Sequence, residues 1–142
     1  MIPRRTLFAL FLILCAVSMA CRKSAPLYDA PAKDIPAVSE RKLSLDEVRA
    51  AIIRGASSRG WTIESQSPGL ITANIMVRNK HSATVDIHYT ETSFDIKYRD
   101  SFNLNYNPKT GTIHPNYDRW VNYLSESIRR EMHNDSLLPR AQ

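Results

Sequence analysis

Asp86 and His88 are the residues whose types and spacing come nearest to catalysis. They lie two apart in a stretch of alternating polarity, so both point to one side of a strand. A carboxylate there could orient the imidazole as a general base, and Lys97 and Arg99, two apart in the next such stretch, could lie alongside. An open sheet offers no cleft to desolvate such a pair, and no serine or cysteine nucleophile sits at a recognisable turn. A solvated, salt-bridged face is therefore the expected role of these four charges. Histidines occur at positions 81, 88, 114 and 133 without an HxH or HxxxH spacing. With cysteines only at 15 and 21, the sequence predicts no metal site. A glycine-rich phosphate loop, a GxSxG elbow and a Cys–His pairing are also missing, so no catalytic residue and no cofactor are expected. A small hydrolase built on His88, Asp86 and His114 is the enzymatic alternative; His114, just before Pro115, reads more simply as a turn residue bonded into the last helix.

The segment Ser101-Phe102-Asn103-Leu104-Asn105-Tyr106-Asn107 interleaves aromatic rings with asparagines in turn-rich sequence. Phe102, Asn103, Asn105 and Tyr106 are the candidate contacts for a partner protein or a glycan, because connecting loops carry recognition more often than scaffolds do. A competing role is internal: Phe102, Leu104 and Tyr106 could plug the end of a core while the asparagines satisfy a bent backbone.

A third chemistry is suggested by Cys21. Arg4 and Arg5 are followed by fourteen uncharged residues, Leu7 to Ala20. A spanning helix needs roughly 20 apolar residues, so this run is short for a permanent anchor and has the layout of a secretory signal. Its end, Ser18-Met19-Ala20-Cys21, resembles the lipobox of bacterial lipoproteins, with Ser18 where leucine is usual. The resemblance implies cleavage between Ala20 and Cys21 and acylation of the Cys21 sulfur. Cys15 follows the bulky Leu14 and fits less well; ordinary signal cleavage after Ala20 is the alternative. Cleavage would leave a single cysteine, which cannot form an internal disulfide, and acylation accounts for it. Two or more acyl chains, at ~0.8 kcal/mol per buried methylene, anchor a protein where one chain is marginal.

The whole chain has a net charge of +5, and without Arg4 and Arg5 it has 17 basic and 14 acidic side chains, a net of +3. The signs are mixed without a basic block, so no nucleic-acid partner is expected. Residues 21–42 carry three prolines and few large apolar groups, and read as an acylated cysteine followed by a flexible tether. Residues 134–142 read as a disordered tail, leaving one domain over 43–133.

The elements that must position these residues are legible by period. Ser44-Leu45-Asp46-Glu47 is a capping box flanked by Leu43 and Val48, and Leu45, Val48, Ala51, Ile52 and Ala56 form a helical stripe that Gly60 ends. Four alternating stretches follow, around Trp61–Ile63, Ile71–Val77, Ala83–Tyr89 and Phe94–Tyr98. A last helix is expected from Asn116, as its cap, through Tyr117, Val121, Leu124, Ile128 and Met132. The expected fold is α+β in two layers: α-β-β-β-β-α, a four-stranded antiparallel sheet with two helices on one face.

With Gly60-Trp61, Pro68-Gly69, Val85-Asp86-Ile87, Phe94-Asp95-Ile96-Lys97-Tyr98, Asn103-Leu104-Asn105-Tyr106 and Asn116-Tyr117 in place, the chain resembles a group of small uncharacterised proteobacterial envelope lipoproteins over most of residues 43–131. The resemblance implies export and this fold, and brings no activity with it. The resulting expectation is a lipid-anchored, periplasm-facing, non-enzymatic binding module of the cell envelope, its partners the membrane and an envelope protein or glycan. A subunit of an envelope assembly complex is the alternative. Arg22 in place of aspartate after the cysteine favours the outer membrane, whereas Lys23-Ser24 resembles an inner-membrane retention signal of other lineages.

Overall fold

The computed structural model describes residues 24–34 and 41–138. The leader 1–20, Cys21 and residues 139–142 lie outside the described residues. In chain order the elements are β1 (Ala25–Pro26), β2 (Ala30–Asp34), α1 (Leu45–Ser57), β3 (Trp61–Ser67), β4 (Leu70–Val77), β5 (His81–Tyr89), β6 (Ser93–Phe102), β7 (Thr112–Ile113) and α2 (Asn116–Leu137). The fold is α+β, with a five-stranded antiparallel sheet in the order β2-β6-β5-β4-β3 and a two-stranded β1-β7 sheet. No helix among the described residues is long and apolar enough to cross a membrane.

The capping box forms as expected. The Ser44 side chain accepts from the Glu47 amide at 3.3 Å, and the Glu47 carboxylate accepts from the Ser44 amide at 2.8 Å. Leu43 and Val48 are both buried beside it. Gly60 follows the helix with φ +77°, which any side chain would strain. The three central strands carry their apolar residues on one face: Ile71, Ala73, Ile75, then Ala83, Val85, Ile87, Tyr89, then Phe94 and Ile96. Both helices cover that face, α2 supplying Tyr117, Val121, Leu124, Ile128 and Met132. Burying an aliphatic or aromatic side chain of this size contributes about 1.5–3 kcal/mol, so this single core dominates the stability of the domain. The two helices meet most closely at Gly55, where a Cβ would lie 2.8 Å from the Ile128 backbone.

Three expectations are corrected. The sheet has five strands, not four: part of the expected tether forms β1 and β2, Ala25 pairing with Ile113 and Ala30 with Ile96. The prolines that suggested a tether are compatible with this, because Pro26 and Pro31 sit in strands that border no inner ladder. Ala30 is buried and Leu27 and Tyr28 pack on the core, which anchors the segment despite its polar composition. The helix α2 continues through the expected tail to Leu137, because Ser136 is buried and Asp135 accepts from Arg54 at 2.5 Å. Asn116 is the first helical residue of α2 and does not cap it. The His114 ring does so instead, Nδ1 accepting from the Asn116 amide at 3.2 Å.

Candidate functional site

The face of the sheet away from the helices gathers the charges singled out from the sequence. Asp86 on β5 accepts from the Thr72 hydroxyl at 2.8 Å and from Arg99 at 3.0 Å. His88 faces Asp95 at 3.7 Å, and Lys97 lies 3.8 Å from both Asp95 and Asp29. Asp86 and His88 do share a face with Lys97 and Arg99, and each charge has a partner of opposite sign. Asp86 is engaged by Thr72 and Arg99 across neighbouring strands, while the His88 ring lies 3.7 Å from the Asp95 carboxylate. The two are therefore held by different neighbours, and no hydrogen bond joins them. His114 sits elsewhere, in the turn before α2. Among the described residues, no cluster of three His, Cys, Asp or Glu side chains could hold a metal ion.

The loop after β6 divides between its two expected roles. Leu104 is buried and its carbonyl accepts from the His114 amide at 2.8 Å, so this residue closes the core. Phe102 points outward at 66% exposure, and Tyr106 is partly exposed, its ring tilted on Tyr98 at 4.4 Å between centroids. Tyr98 in turn meets the buried Tyr117 edge-on at 5.6 Å. Burial pushes the Tyr98 and Tyr117 hydroxyls upward, Tyr117 far above the usual phenol range, so both rings are neutral packing groups. Asn103 and Asn105 both take positive φ, at 57° and 52°, a region that asparagine tolerates better than most residues. The loop is pinned: Asn103 Nδ2 donates to the Lys80 carbonyl at 3.0 Å, and its own carbonyl accepts from His81 Nδ1 at 2.8 Å. Met76, Ser82 and Phe102 form one cross-strand row, which places the exposed Met76 and Phe102 on either side of Ser82 on the open face. Of the four candidate contacts, Phe102 ends β6 and Asn103, Asn105 and Tyr106 follow in the pinned loop, all four exposed.

Sequence reasoning missed a second feature at the same end of the sheet, on the helix-bearing side. Val77, Arg78, His81, Asn116, Arg119 and Trp120 line a cleft of about 250 Å³. The β4–β5 turn brings Arg78 and Asn79 into the left-handed region, at φ 53° and 51°, and closes with the Lys80 amide on the Val77 carbonyl at 3.1 Å. Two such residues make the turn that suits the right-handed twist of a hairpin. Asn116, Arg119 and Trp120 come from the first turns of α2, where positions three and four apart share a face. That spacing was the one available sequence signal; the partner turn lies some forty residues earlier. A larger hollow of about 510 Å³ near Pro68, Tyr89 and Thr92 is lined by neutral side chains apart from Glu91.

No protein family, no curated protein and no solved structure matches the chain.

Proposed function

We propose that the domain is a non-enzymatic binding module of the cell envelope, held on the periplasmic side of a membrane by lipid on Cys21. The outer membrane is the favoured site. The supporting sequence pattern is a charged start, a fourteen-residue apolar run and a small residue before Cys21. The partner-binding role rests chiefly on one observation: Phe102, 66% exposed, and Met76, 56% exposed, flank Ser82 on one cross-strand row of the open sheet face. Large apolar side chains held outward on the two strands that flank β5 are the material of a contact surface. Asn105 and Tyr106 next to them supply amide and ring contacts for an envelope protein or a glycan.

Photo-cross-linking in the living cell tests this reading. A photoreactive residue at Asn105 is expected to give a discrete adduct that disappears with Phe102→Ser, whereas one at Arg49 on α1 gives none. Identical labelling from both positions, or an adduct indifferent to Phe102→Ser, would refute the contact surface.

A further inference from the structure

The cleft at the start of α2 has a composition unlike the rest of the surface. Elsewhere most arginines of the domain face acids: Arg41 with Glu47, Arg49 with Asp46, Arg54 with Glu131 and Asp135, Arg99 with Asp86, Arg129 with Glu126. Among the described residues no ion pair joins Arg78 or Arg119 to a carboxylate, yet both line one small cleft. Two guanidinium groups beside each other repel unless an anion sits between them.

The remaining lining fits an oxyanion. A carbonyl only accepts, so the His81–Asn103 bond puts a proton on Nδ1, and Nε2 donates to an oxyanion only in the imidazolium form. Asn116 adds a side-chain amide from the first turn of the 22-residue α2, whose own first backbone amide is already taken by the His114 ring. Asp118, the acid of that first turn, is engaged by the Tyr28 backbone. The cation at position 78 is held at a backbone angle that disfavours arginine, in a turn fixed to the sheet by the Asn103 bonds.

Chain length indicates what supplies the anion. Cys21 is four residues from Ala25, which pairs with Ile113. At no more than ~3.6 Å per residue, four residues span about 14 Å. Ile113 leads through His114 directly into the first turn of α2, where Arg119 and Trp120 stand. If Cys21 carries lipid, the β7 strand that leads into α2 is therefore held within that reach of the headgroup layer. Trp120 and the two arginines are side chains suited to that layer, one amphipathic and two strongly anion-seeking.

We infer that the cleft lined by Arg78, His81, Asn116, Arg119 and Trp120 binds the phosphate of a lipid headgroup in the membrane that anchors Cys21. This rests on the anchored reading above for its occupant; the affinity for phosphate itself does not. The phosphate oxygens sit between the two guanidinium forks, and Val77 and Trp120 meet the apolar part of the headgroup.

The test uses the native full chain in neutral detergent, titrated with glycerol 1-phosphate as a headgroup probe and followed by tryptophan emission. Trp61 is buried, so the response reports Trp120. A saturable change is expected, weakened about tenfold by Arg119→Gln and about a hundredfold when Arg78→Asn is added, since each removes a charge-assisted contact. Asparagine suits the left-handed backbone, so the double variant keeps the turn. Arg49→Gln is expected to leave binding unchanged. No saturable response, or one the double variant retains, overturns the phosphate site. The same protein is then reconstituted into digalactosyldiacylglycerol vesicles with or without phosphatidylglycerol, where a blue shift of Trp120 is expected only with the phospholipid. Equal emission in both vesicles overturns the lipid occupant. The mass of Cys21 in the same preparation separates the two readings: a bare thiol refutes the anchor, and with it the membrane as occupant, while the titration still decides phosphate recognition.

Discussion

The open sheet face and the cleft at the start of α2 both carry arginine and histidine, and they use them differently. On the sheet face Arg99 lies on Asp86, His88 on Asp95 and Lys97 between Asp95 and Asp29. At the cleft Arg78 and Arg119 stand without a carboxylate among the described residues. Cross-strand pairs of opposite charge contribute only about 0.2–1 kcal/mol each and complete a solvated surface. Two exposed cations lining one hollow are what the proposed anion would neutralise. The residues that look most like chemistry in the sequence pair across the sheet surface, and the proposed anion site draws on residues far apart in the chain.

Breaking the scaffold beneath both regions should have the largest effect. Gly55→Val places atoms against the Ile128 backbone, which cannot retreat without parting the helices. A loss of about 3 kcal/mol or more is expected in denaturant unfolding, with phosphate binding lost together with the fold. The sheet face is more forgiving. Asp86→Ala removes the acceptor of Thr72 and Arg99 and should cost ~1 kcal/mol, less in high salt, while glycerol phosphate binding is unchanged. The cleft should respond in the opposite sense: Arg78→Asn relieves an unfavourable backbone angle and raises stability by roughly 0.5–1 kcal/mol while weakening the anion site. A stability gain with a binding loss would mark Arg78 as retained for a ligand.

Two smaller effects sharpen the contrast. His88→Ala should change stability by less than about 0.5 kcal/mol, and neither it nor Asp86→Ala should abolish the function of the protein in the cell. Loss of function with folding intact would favour a hydrolase. Burial raises the Asp118 carboxyl above its ordinary value, against the opposing pull of the Tyr28 amide. A raised folded value means that Asp118 favours the folded state below its unfolded value and loses that contribution as pH rises through the folded one. Asp118→Asn should therefore raise Tm slightly at pH 7, the gain fading on acidification.

Much of the scaffold was legible in the residues. Ser44 and Glu47 announce α1 through a reciprocal bond that needs nothing beyond one turn of helix, and the alternation from Ile71 to Tyr98 identifies the central strands because one face is buried. The segments that were misread have ambiguous composition. Pro26 and Pro31 suit an extended tether and an edge strand equally well, and only Ala30, Leu27 and Tyr28 packing on the core decides between them. Asn134 and Asp135 look like tail residues until Arg54 on α1 reaches Asp135. Of the loop, the exposure of Phe102 and the burial of Leu104 follow from a sheet end that sequence does not locate. The cleft was hidden for a similar reason. Arg78-Asn79 is not the usual asparagine–glycine turn, so the direction in which it projects Arg78 toward Arg119 is a property of the assembled fold.

Amide NMR of the native protein titrated with glycerol 1-phosphate bears most directly on the claim that the unpaired cations bind while the paired ones only complete a surface. Shifts confined to Arg78–His81 and Asn116–Trp120, with Asp86, Asp95 and Arg99 unmoved, are the predicted result. Shifts centred on the Asp86–Arg99 face, or none anywhere, would contradict it.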